Sequence, residues 1–260
     1  MKVMSVFVDG SSSDRDSLTV AAMFAQKLNG RLDVVHAVGQ EVYAVAESVA
    51  VAEVDEQVVG KAKAAFDQVC GNMPNARWVR AESNPADAIR QRGFLNDLII
   101  LERISGDDGP DVEALNIALF ETAAPVLVCP PSPPPTVCTS AAVLWSPTLQ
   151  AAKAARISLP LLHQAEEVIV LIDSSNDEAN PDAVPNYLSV HGIEATAEWF
   201  DGGALTARGR GRAILKATHG RADLLVMGAF GENMFSSLMG LGRTTQKIVT
   251  ATKIPTLIHC

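Results

Sequence analysis

Residues 125–135 read PVLVCPPSPPP, a short apolar strand that runs directly into a series of prolines. Proline lacks a backbone N–H and has a fixed φ, so this series favours a stiff, extended spacer over a helix or a central strand. The spacer falls at the midpoint of the 260-residue chain. We therefore divide the sequence into a first domain over 1–130, a proline-rich linker over 131–139 and a second domain over 140–260.

The same order of elements can be followed on each side of the linker. Each half opens with an apolar strand, a segment of helical spacing and a second strand. In the first half FVDGS at 7–11 closes the first strand, and the other two segments cover 18–28 and 31–38. In the second half the three segments cover 141–145, 149–162 and 168–173. Further on, DLIIL at 97–101 matches DLLVM at 223–227, and PVLVC at 125–129 matches PTLIH at 255–259. A duplicated domain would produce such a recurrence.

The strands are continuously apolar, which is typical of strands buried on both faces of a parallel sheet with helices on either side. The sequence predicts second-half helices over 148–163, 180–191, 206–219 and 238–251, and one long amphipathic helix over much of 40–71. The predicted fold is thus α/β, two tandem doubly wound parallel-sheet domains. Because strands 125–129 and 255–259 would otherwise be exposed apolar edges, we expect them to pair as a pseudo-dimer. The alternative is a single sheet of six to ten strands without duplication.

Composition excludes several classes of function. The net charge of −9 repels a phosphate backbone, which argues against nucleic-acid binding. The longest apolar runs are strand-sized and the first residues lack a secretory core, so we expect no membrane association and a cytoplasmic location. The cysteines have the spacing of neither a disulfide framework nor a zinc site, so we expect reduced thiols at Cys70, Cys129, Cys138 and Cys260.

In a parallel sheet of this kind, ligands bind beyond the carboxyl ends of the strands. The richest segment in that position is GAFGENMFSSLMGLGRTT at 228–245. Glycines let backbone N–H groups approach an anion, and a helix amino terminus adds unpaired donors. Arg243 and the hydroxyls of Thr244 and Thr245 would add charged and neutral donors. The spacing alone fits equally well a surface loop that ends in a threonine cap.

This segment resembles the universal stress protein signature, in which Gly, two residues, Gly, nine residues, Gly and Ser or Thr wrap the phosphates of ATP. Gly228, Gly231 and Gly242 match the glycines. Ten residues rather than nine separate the last two, and Arg243 stands at the hydroxyl position with Thr244 behind it. The resemblance extends to VDGS at 8–11 and to the two strands of matching sequence near 97–101 and 223–228. It also includes the strands at 125–129 and 255–259, each of which begins with proline. It implies an adenine nucleotide α-hydrolase-like fold in each half.

The resemblance also implies that the halves differ in what they bind. In the family an acidic residue at the end of the first strand helps to hold adenine, and the first half retains Asp9. After its fourth strand, however, the first half has Glu102, Asp107 and Asp108 instead of the glycines, and these would repel a triphosphate. The second half keeps the glycines, but Trp145 and Ser146 stand where Asp-Gly is expected. The indole of Trp145 would either stack on a base or belong to the core.

We therefore predict one nucleotide site per chain, in the second half. Its residues are Gly228, Gly231, Gly242, Arg243, Thr244, Thr245, Met227, Trp145 and Ser146, with Asp9 and Asp173 as further candidates. The arginines of RGRGR at 208–212 would either contact a phosphate or form a solvated helix entry.

The sequence leaves three functions open. One is regulatory binding of ATP, with Mg²⁺ if it is bound, and the second is a nucleotide-free scaffold of the same fold that binds a protein partner. The third, ATP hydrolysis, would need Glu232 or Asp173 as a base or metal-holding group. No catalytic constellation is visible, because the five histidines are dispersed. A homodimer built on the internal pair is a further expectation.

Overall fold

The computed structural model describes residues 1–38, 49–104, 106, 110–176, 178–202, 205–229 and 241–260. The first half contains β1 (Val3–Val8), α1 (Asp14–Lys27), β2 (Arg31–Ala37), α2 (Val49–Cys70), β3 (Ala76–Ala81), α3 (Pro85–Gly93), β4 (Leu98–Leu101), α4 (Pro110–Phe120) and β5 (Val126–Val128). The second half contains β6 (Ser140–Trp145), α5 (Leu149–Ile157), α6 (Leu159–Leu162), β7 (Glu167–Asp173), α7 (Ala183–Val190), β8 (Thr196–Phe200), α8 (Ala207–Thr218), β9 (Leu224–Gly228), α9 (Arg243–Ala251) and β10 (Thr256–His259).

The strands form one ten-stranded sheet in the order β3-β2-β1-β4-β5-β10-β9-β6-β7-β8. Within each half neighbouring strands are parallel, and the order of the first half is repeated in the second. The halves meet where β5 pairs antiparallel with β10, with Leu127 opposite Leu257. This pairing confirms the expected contact through the last strands. The sheet is therefore continuous, as in the alternative prediction of a single sheet. Its two halves nevertheless have the same strand order, as expected for a duplicated domain.

Side chains of the strands alternate between two buried layers, one on each face of the sheet. In β4, Leu98 and Ile100 join the layer that contains Phe24 of α1, whereas Ile99 and Leu101 join the layer that contains α4 residues. All four β4 residues are buried. Since apolar helices cover both faces, the doubly wound parallel fold predicted from continuous apolar strands is confirmed.

The helices lie close to the predicted positions. The segment predicted over 148–163 is divided into α5 and α6 at Ser158, with Pro160 in the first turn of α6, where proline needs no N–H partner. The predictions over 180–191 and 206–219 correspond to α7 and α8. The described parts of 238–251 and 40–71 contain α9 and α2, whereas 39–48 and 230–240 lie outside the described residues. Among the helices within the described ranges, none combines the length and apolarity needed to cross a bilayer.

Candidate functional site

A crevice of about 270 Å³ opens at the carboxyl ends of β6, β7 and β8. This is the edge of a doubly wound sheet at which ligands bind. We call it the second-half crevice, and its lining residues are Leu144, Trp145, Ser146, Asp173, Ser175, Asn176, Phe200, Arg210 and Ile214. Three of the predicted site residues, Trp145, Ser146 and Asp173, therefore lie together.

Asp173, the last residue of β7, is held on both of its carboxylate oxygens. Its Oδ1 accepts hydrogen bonds from the Ser175 backbone N at 3.0 Å and from Ser175 Oγ at 2.8 Å, and from the Gly202 N at 3.3 Å. Its Oδ2 lies 3.2 Å from Arg210 Nε. A side chain on Gly202 would collide with this carboxylate, so the glycine is required for the close approach. The ion pair places Arg210 in the lining of the crevice, whereas Arg208 and Arg212 are exposed. Contact of this cluster with a phosphate stays a prediction.

Two buried N–H groups of the crevice have no hydrogen-bond partner among the described residues. They are Trp145 Nε1 and Arg210 Nε. The Arg210 Nε is close enough to Asp173 for an ion pair, but its N–H is not aligned with the carboxylate. An unpaired buried donor costs about 1–3 kcal/mol, so such groups call for an acceptor from water or a ligand. Both nitrogen atoms are themselves shielded from solvent, and the Trp145 ring packs against the apolar layer that contains Ala141 and Val143. The crevice thus presents an edge of the indole and the partly exposed guanidinium of Arg210 to whatever occupies it.

The strand that leads into the glycine segment places its side chains in the core. Met227 is fully buried in the apolar layer, so it can offer a ligand only its backbone. Gly228 ends β9 directly against the first turn of α5, where a Cβ would lie 2.5 Å from the Ala151 backbone N. This glycine therefore has a packing role independent of any phosphate. Gly231 and Glu232 lie outside the described residues.

The start of α9 offers backbone groups more readily than hydroxyls. Gly242 is the N-cap of α9, with φ −64° and ψ 150°, and makes no side-chain cap. Arg243 is exposed, whereas Thr244 and Thr245 are buried. The Thr244 Oγ1 donates a hydrogen bond of 3.0 Å to the Ala207 carbonyl at the start of α8. The anion donors of this segment are thus the helix amino-terminal N–H groups and Arg243.

The equivalent crevice of the first half has three carboxylates among otherwise apolar lining residues. It has a volume of about 160 Å³ and includes Asp9, Glu102 and Asp111 in its lining. Glu102 accepts hydrogen bonds from Ser13 Oγ at 2.7 Å and Ser17 Oγ at 3.1 Å. Burial raises the pKa of Glu102 above its usual value. This concentration of acidic groups disfavours a triphosphate.

A further buried carboxylate, Asp14, closes the turn after β1. It accepts the N–H of Asp9 at 3.1 Å and that of Gly10 at 2.8 Å. Burial raises the pKa of Asp14 from 3.8 to about 6, against the opposing effect of these two hydrogen bonds. The turn itself needs glycine, because Gly10 has a φ of +84° and a Cβ there would lie 2.8 Å from the Val58 carbonyl O. Asp107 and Asp108 lie outside the described residues.

Among the residues that the structure describes, no group of three or more His, Cys, Asp and Glu side chains is arranged to hold a metal ion. In the second-half crevice Asp173 is the one carboxylate among the lining residues. A Mg²⁺ ion there would depend on phosphate oxygens and water for most of its ligands, as Mg²⁺ commonly does in nucleotide sites.

Several residues at this crevice have no recognisable motif in the sequence. Ser175 and Phe200 line it, and Gly202 donates a hydrogen bond to Asp173 beside it. The available signal was the polar run DSS at 173–175 directly after an apolar strand, at the end of the sheet where ligands bind. The role of Gly202 depends on its contact with Asp173 and had no local signal.

Comparisons with known proteins agree on the fold. No protein-family model matches the sequence, and no curated protein matches it significantly. A universal stress protein from Archaeoglobus fulgidus DSM 4304 superposes with a TM-score of 0.68 at 15% identity, covering 99% of this chain and 96% of that one. A functionally unknown protein from Pseudomonas aeruginosa PAO1 has a TM-score of 0.61 at 14% identity, with coverages of 98% and 91%. A candidate universal stress protein from Pseudomonas aeruginosa UCBPP-PA14 has a TM-score of 0.58 at 14% identity, with coverages of 99% and 93%. The chain has the universal stress protein fold over its whole length.

Proposed function

We propose that the protein is a universal stress protein that binds one adenine nucleotide, ATP foremost, in its second-half crevice and regulates a protein partner by doing so. One observation carries the proposal. Trp145 and Arg210 line the same 270 Å³ crevice, and the Arg210 side chain is 35% exposed. A nucleotide brings a base that stacks on an indole and phosphates that a guanidinium binds.

Each group has a distinct role in this assignment. The indole of Trp145 offers an apolar surface to a base. Arg210, anchored by Asp173 at 3.2 Å, supplies positive charge to the first phosphate. The start of α9 at Gly242 and Arg243 provides donors for the remaining phosphates. The crevice volume is slightly below the roughly 300 Å³ at which small-molecule pockets begin, which suits the nucleoside part of the ligand.

The charge distribution supports a single site per chain. The first-half crevice contains Asp9, Glu102 and Asp111, and its volume is only about 160 Å³. The second-half crevice combines one carboxylate, already paired, with the guanidinium of Arg210. Because phosphate recognition needs cationic or backbone donors without competing carboxylates, the second half is favoured.

A nucleotide-free scaffold is the second candidate. It is favoured by Trp145 and Ser146, which replace the acidic residue expected at this strand end, and by the engaged hydroxyl of Thr244. Hydrolysis of ATP has less support among the described residues. Asp173 already accepts hydrogen bonds from Ser175 and Gly202 and pairs with Arg210, so it is poorly placed as a general base.

Calorimetric titration of ATP, ADP and AMP into the full chain tests the proposal. We expect one site per chain, and Arg210→Gln should weaken ATP binding by about tenfold or more through loss of a charged contact. Trp145→Ala removes the ring on which a base would stack, so it should weaken binding about fivefold or more. Arg212→Gln is the matched control, because Arg212 lies in the same helix and is exposed.

Each contrary outcome has a distinct meaning. Equal losses in Arg210→Gln and Arg212→Gln would show that only general charge matters and would reject the crevice assignment. Loss of binding in Asp9→Ala would move the site to the first half. If no nucleotide produces heat and none is released from the purified protein by denaturation, the scaffold function replaces nucleotide binding.

A further inference from the structure

The first half has a second concavity, which is larger than either crevice described above. It lies between α3 and the sheet surface near the edge strand β3. Its volume is about 660 Å³, and its lining includes Arg31, Arg77 and Arg92 together with Asp33 and Glu82. We call it the arginine groove. Arg31 begins β2 and Arg77 is the second residue of β3, so the arginines lie toward the amino ends of the strands. The crevices described above lie at the carboxyl ends, which the groove reaches only at Ala81, the last residue of the edge strand β3, and at the two residues that follow it.

The three arginines converge on one buried carboxylate. Asp33 accepts a two-point contact from Arg77, with Nε to Oδ1 at 2.6 Å and Nη2 to Oδ2 at 2.8 Å. Arg31 Nε lies 3.2 Å from Oδ1, and Arg92 Nη1 lies 3.4 Å from Oδ2. The side chain of Asp33 is 2% exposed, whereas those of Arg31, Arg77 and Arg92 are 47%, 54% and 26% exposed. The carboxylate is thus sealed beneath a layer of accessible guanidinium groups.

One carboxylate cannot satisfy three guanidinium groups. Each arginine carries five N–H donors, and the two oxygens of Asp33 have about four acceptor positions in total. The three positive charges of the groove face two negative ones, those of Asp33 and Glu82. The groove is therefore locally cationic in a chain whose net charge is −9. Burial would raise the pKa of Asp33, but the hydrogen bonds and charges of the arginines outweigh it and lower the pKa, so Asp33 stays ionised.

The fold does not require this cluster. Asp33 pairs in register with Ser5 on one side and Arg77 on the other, and the same positions of the second half hold Ile169 between Ala142 and Thr196. An aliphatic residue therefore occupies the equivalent place in the second half of the sheet. Buried ionic clusters are weak stabilisers compared with apolar residues of similar volume. A functional reason for the arginines is thus more consistent with the structure than a structural one.

We propose that the arginine groove binds a small molecule through a phosphate or carboxylate group, at a site separate from the nucleotide crevice. Asp33 fixes the three guanidinium groups and orients their remaining donors toward the groove. Planar guanidinium groups bind both kinds of oxyanion in a two-point geometry. The volume leaves room for a ligand body beside the anionic group.

The test is calorimetric titration of inorganic pyrophosphate and, separately, of citrate into the full chain at constant ionic strength. We expect saturable binding of at least one probe at one site per chain, and the better probe identifies phosphate or carboxylate as the preferred group. Arg92→Gln should weaken that binding by about tenfold, and Arg92→Lys by less. Arg90→Gln is the matched control, since Arg90 is in the same helix but pairs with Glu121 and Asp87 on its surface.

Arg92→Gln removes the most distant of the three contacts to Asp33, and an unchanged thermal transition would show that the variant folds. Arg210→Gln, which tests the phosphate contact of the nucleotide crevice, should leave pyrophosphate and citrate binding unchanged. The proposal is overturned if neither probe binds saturably. It is equally overturned if Arg90→Gln and Arg92→Gln weaken binding to the same extent, or if Arg210→Gln abolishes it.

Discussion

Replacement of Gly228 by alanine should destabilise the protein even when no nucleotide is present. The added Cβ would lie 2.5 Å from both the Ala151 N and the Gln150 C, which are backbone atoms of the α5 entry. Backbone cannot rotate away as a flexible side chain would, so either β9 or α5 must shift. Overpacking of this kind costs typically about 1–3 kcal/mol, and we expect a value near the upper end. For a chain of this size that corresponds to a fall in Tm of about 6–12 °C.

Gly60→Ala is the matched control for this substitution. Gly60 lies inside α2, and a Cβ there would meet nothing within 4 Å. Alanine is favoured over glycine in a helix interior by about 0.5–1 kcal/mol, so Tm should rise slightly. Thermal unfolding of both variants, followed by circular dichroism without added nucleotide, makes the comparison. Equal Tm values for Gly228→Ala and the wild type would refute the packing argument and leave Gly228 with a ligand role alone.

Two further predictions concern buried titratable groups. Because burial raises the pKa of Asp14 to about 6, the folded state holds an extra proton between pH 4 and 6, and stability should fall by up to about 3 kcal/mol as pH rises through that window. Denaturant unfolding at several pH values should show this component in the wild type and not in Asp14→Asn; an identical pH dependence would contradict it. Burial also raises the pKa of the thiols of Cys129 and Cys138, and that of Cys260 to about 11. Thiol reagents at pH 7 should therefore label the native chain slowly. Cys260 should react first, because it is only partly buried. Fast labelling of all thiols without denaturant would be inconsistent with this burial.

Much of the fold was predictable because its signals are local. The run Leu98–Leu101 is apolar without alternation, and such a strand is stable only when both faces are covered. The pairing of β5 with β10 followed from two apolar edges that needed a partner. The division of the predicted helix at Ser158 was missed, because the apolar spacing continues across it and only Pro160 indicates the break.

The candidate site was less predictable because its contacts join distant parts of the chain. Arg210 meets Asp173 across 37 positions, and Arg92 meets Asp33 across 59. A motif can identify residues that follow one strand, but it does not show which side chain another helix brings to the same place. The hydroxyl of Thr244 shows the same limit. Its contact with a phosphate stays a prediction of the resemblance, and the hydrogen bond that it donates to the Ala207 carbonyl of α8 has no signal in the sequence.

The junction between the halves gives a final prediction, since it decides whether they unfold as one unit. Leu127 of β5 and Leu257 of β10 are directly opposite each other, fully buried and part of the same apolar layer. Each leucine-to-alanine change should cost about 2–5 kcal/mol, and opposite residues of an antiparallel pair should couple by about 0.5–3 kcal/mol in a double-mutant cycle. Val170 of β7 lies in the same layer but four strands from β5, so Val170→Ala combined with Leu127→Ala should be additive within about 0.5 kcal/mol. Coupling that is no larger for Leu257 than for Val170 would mean that the two halves do not share the β5–β10 contact in solution. A single cooperative transition with strong coupling would mean that this antiparallel pair makes two five-stranded halves into one folding unit.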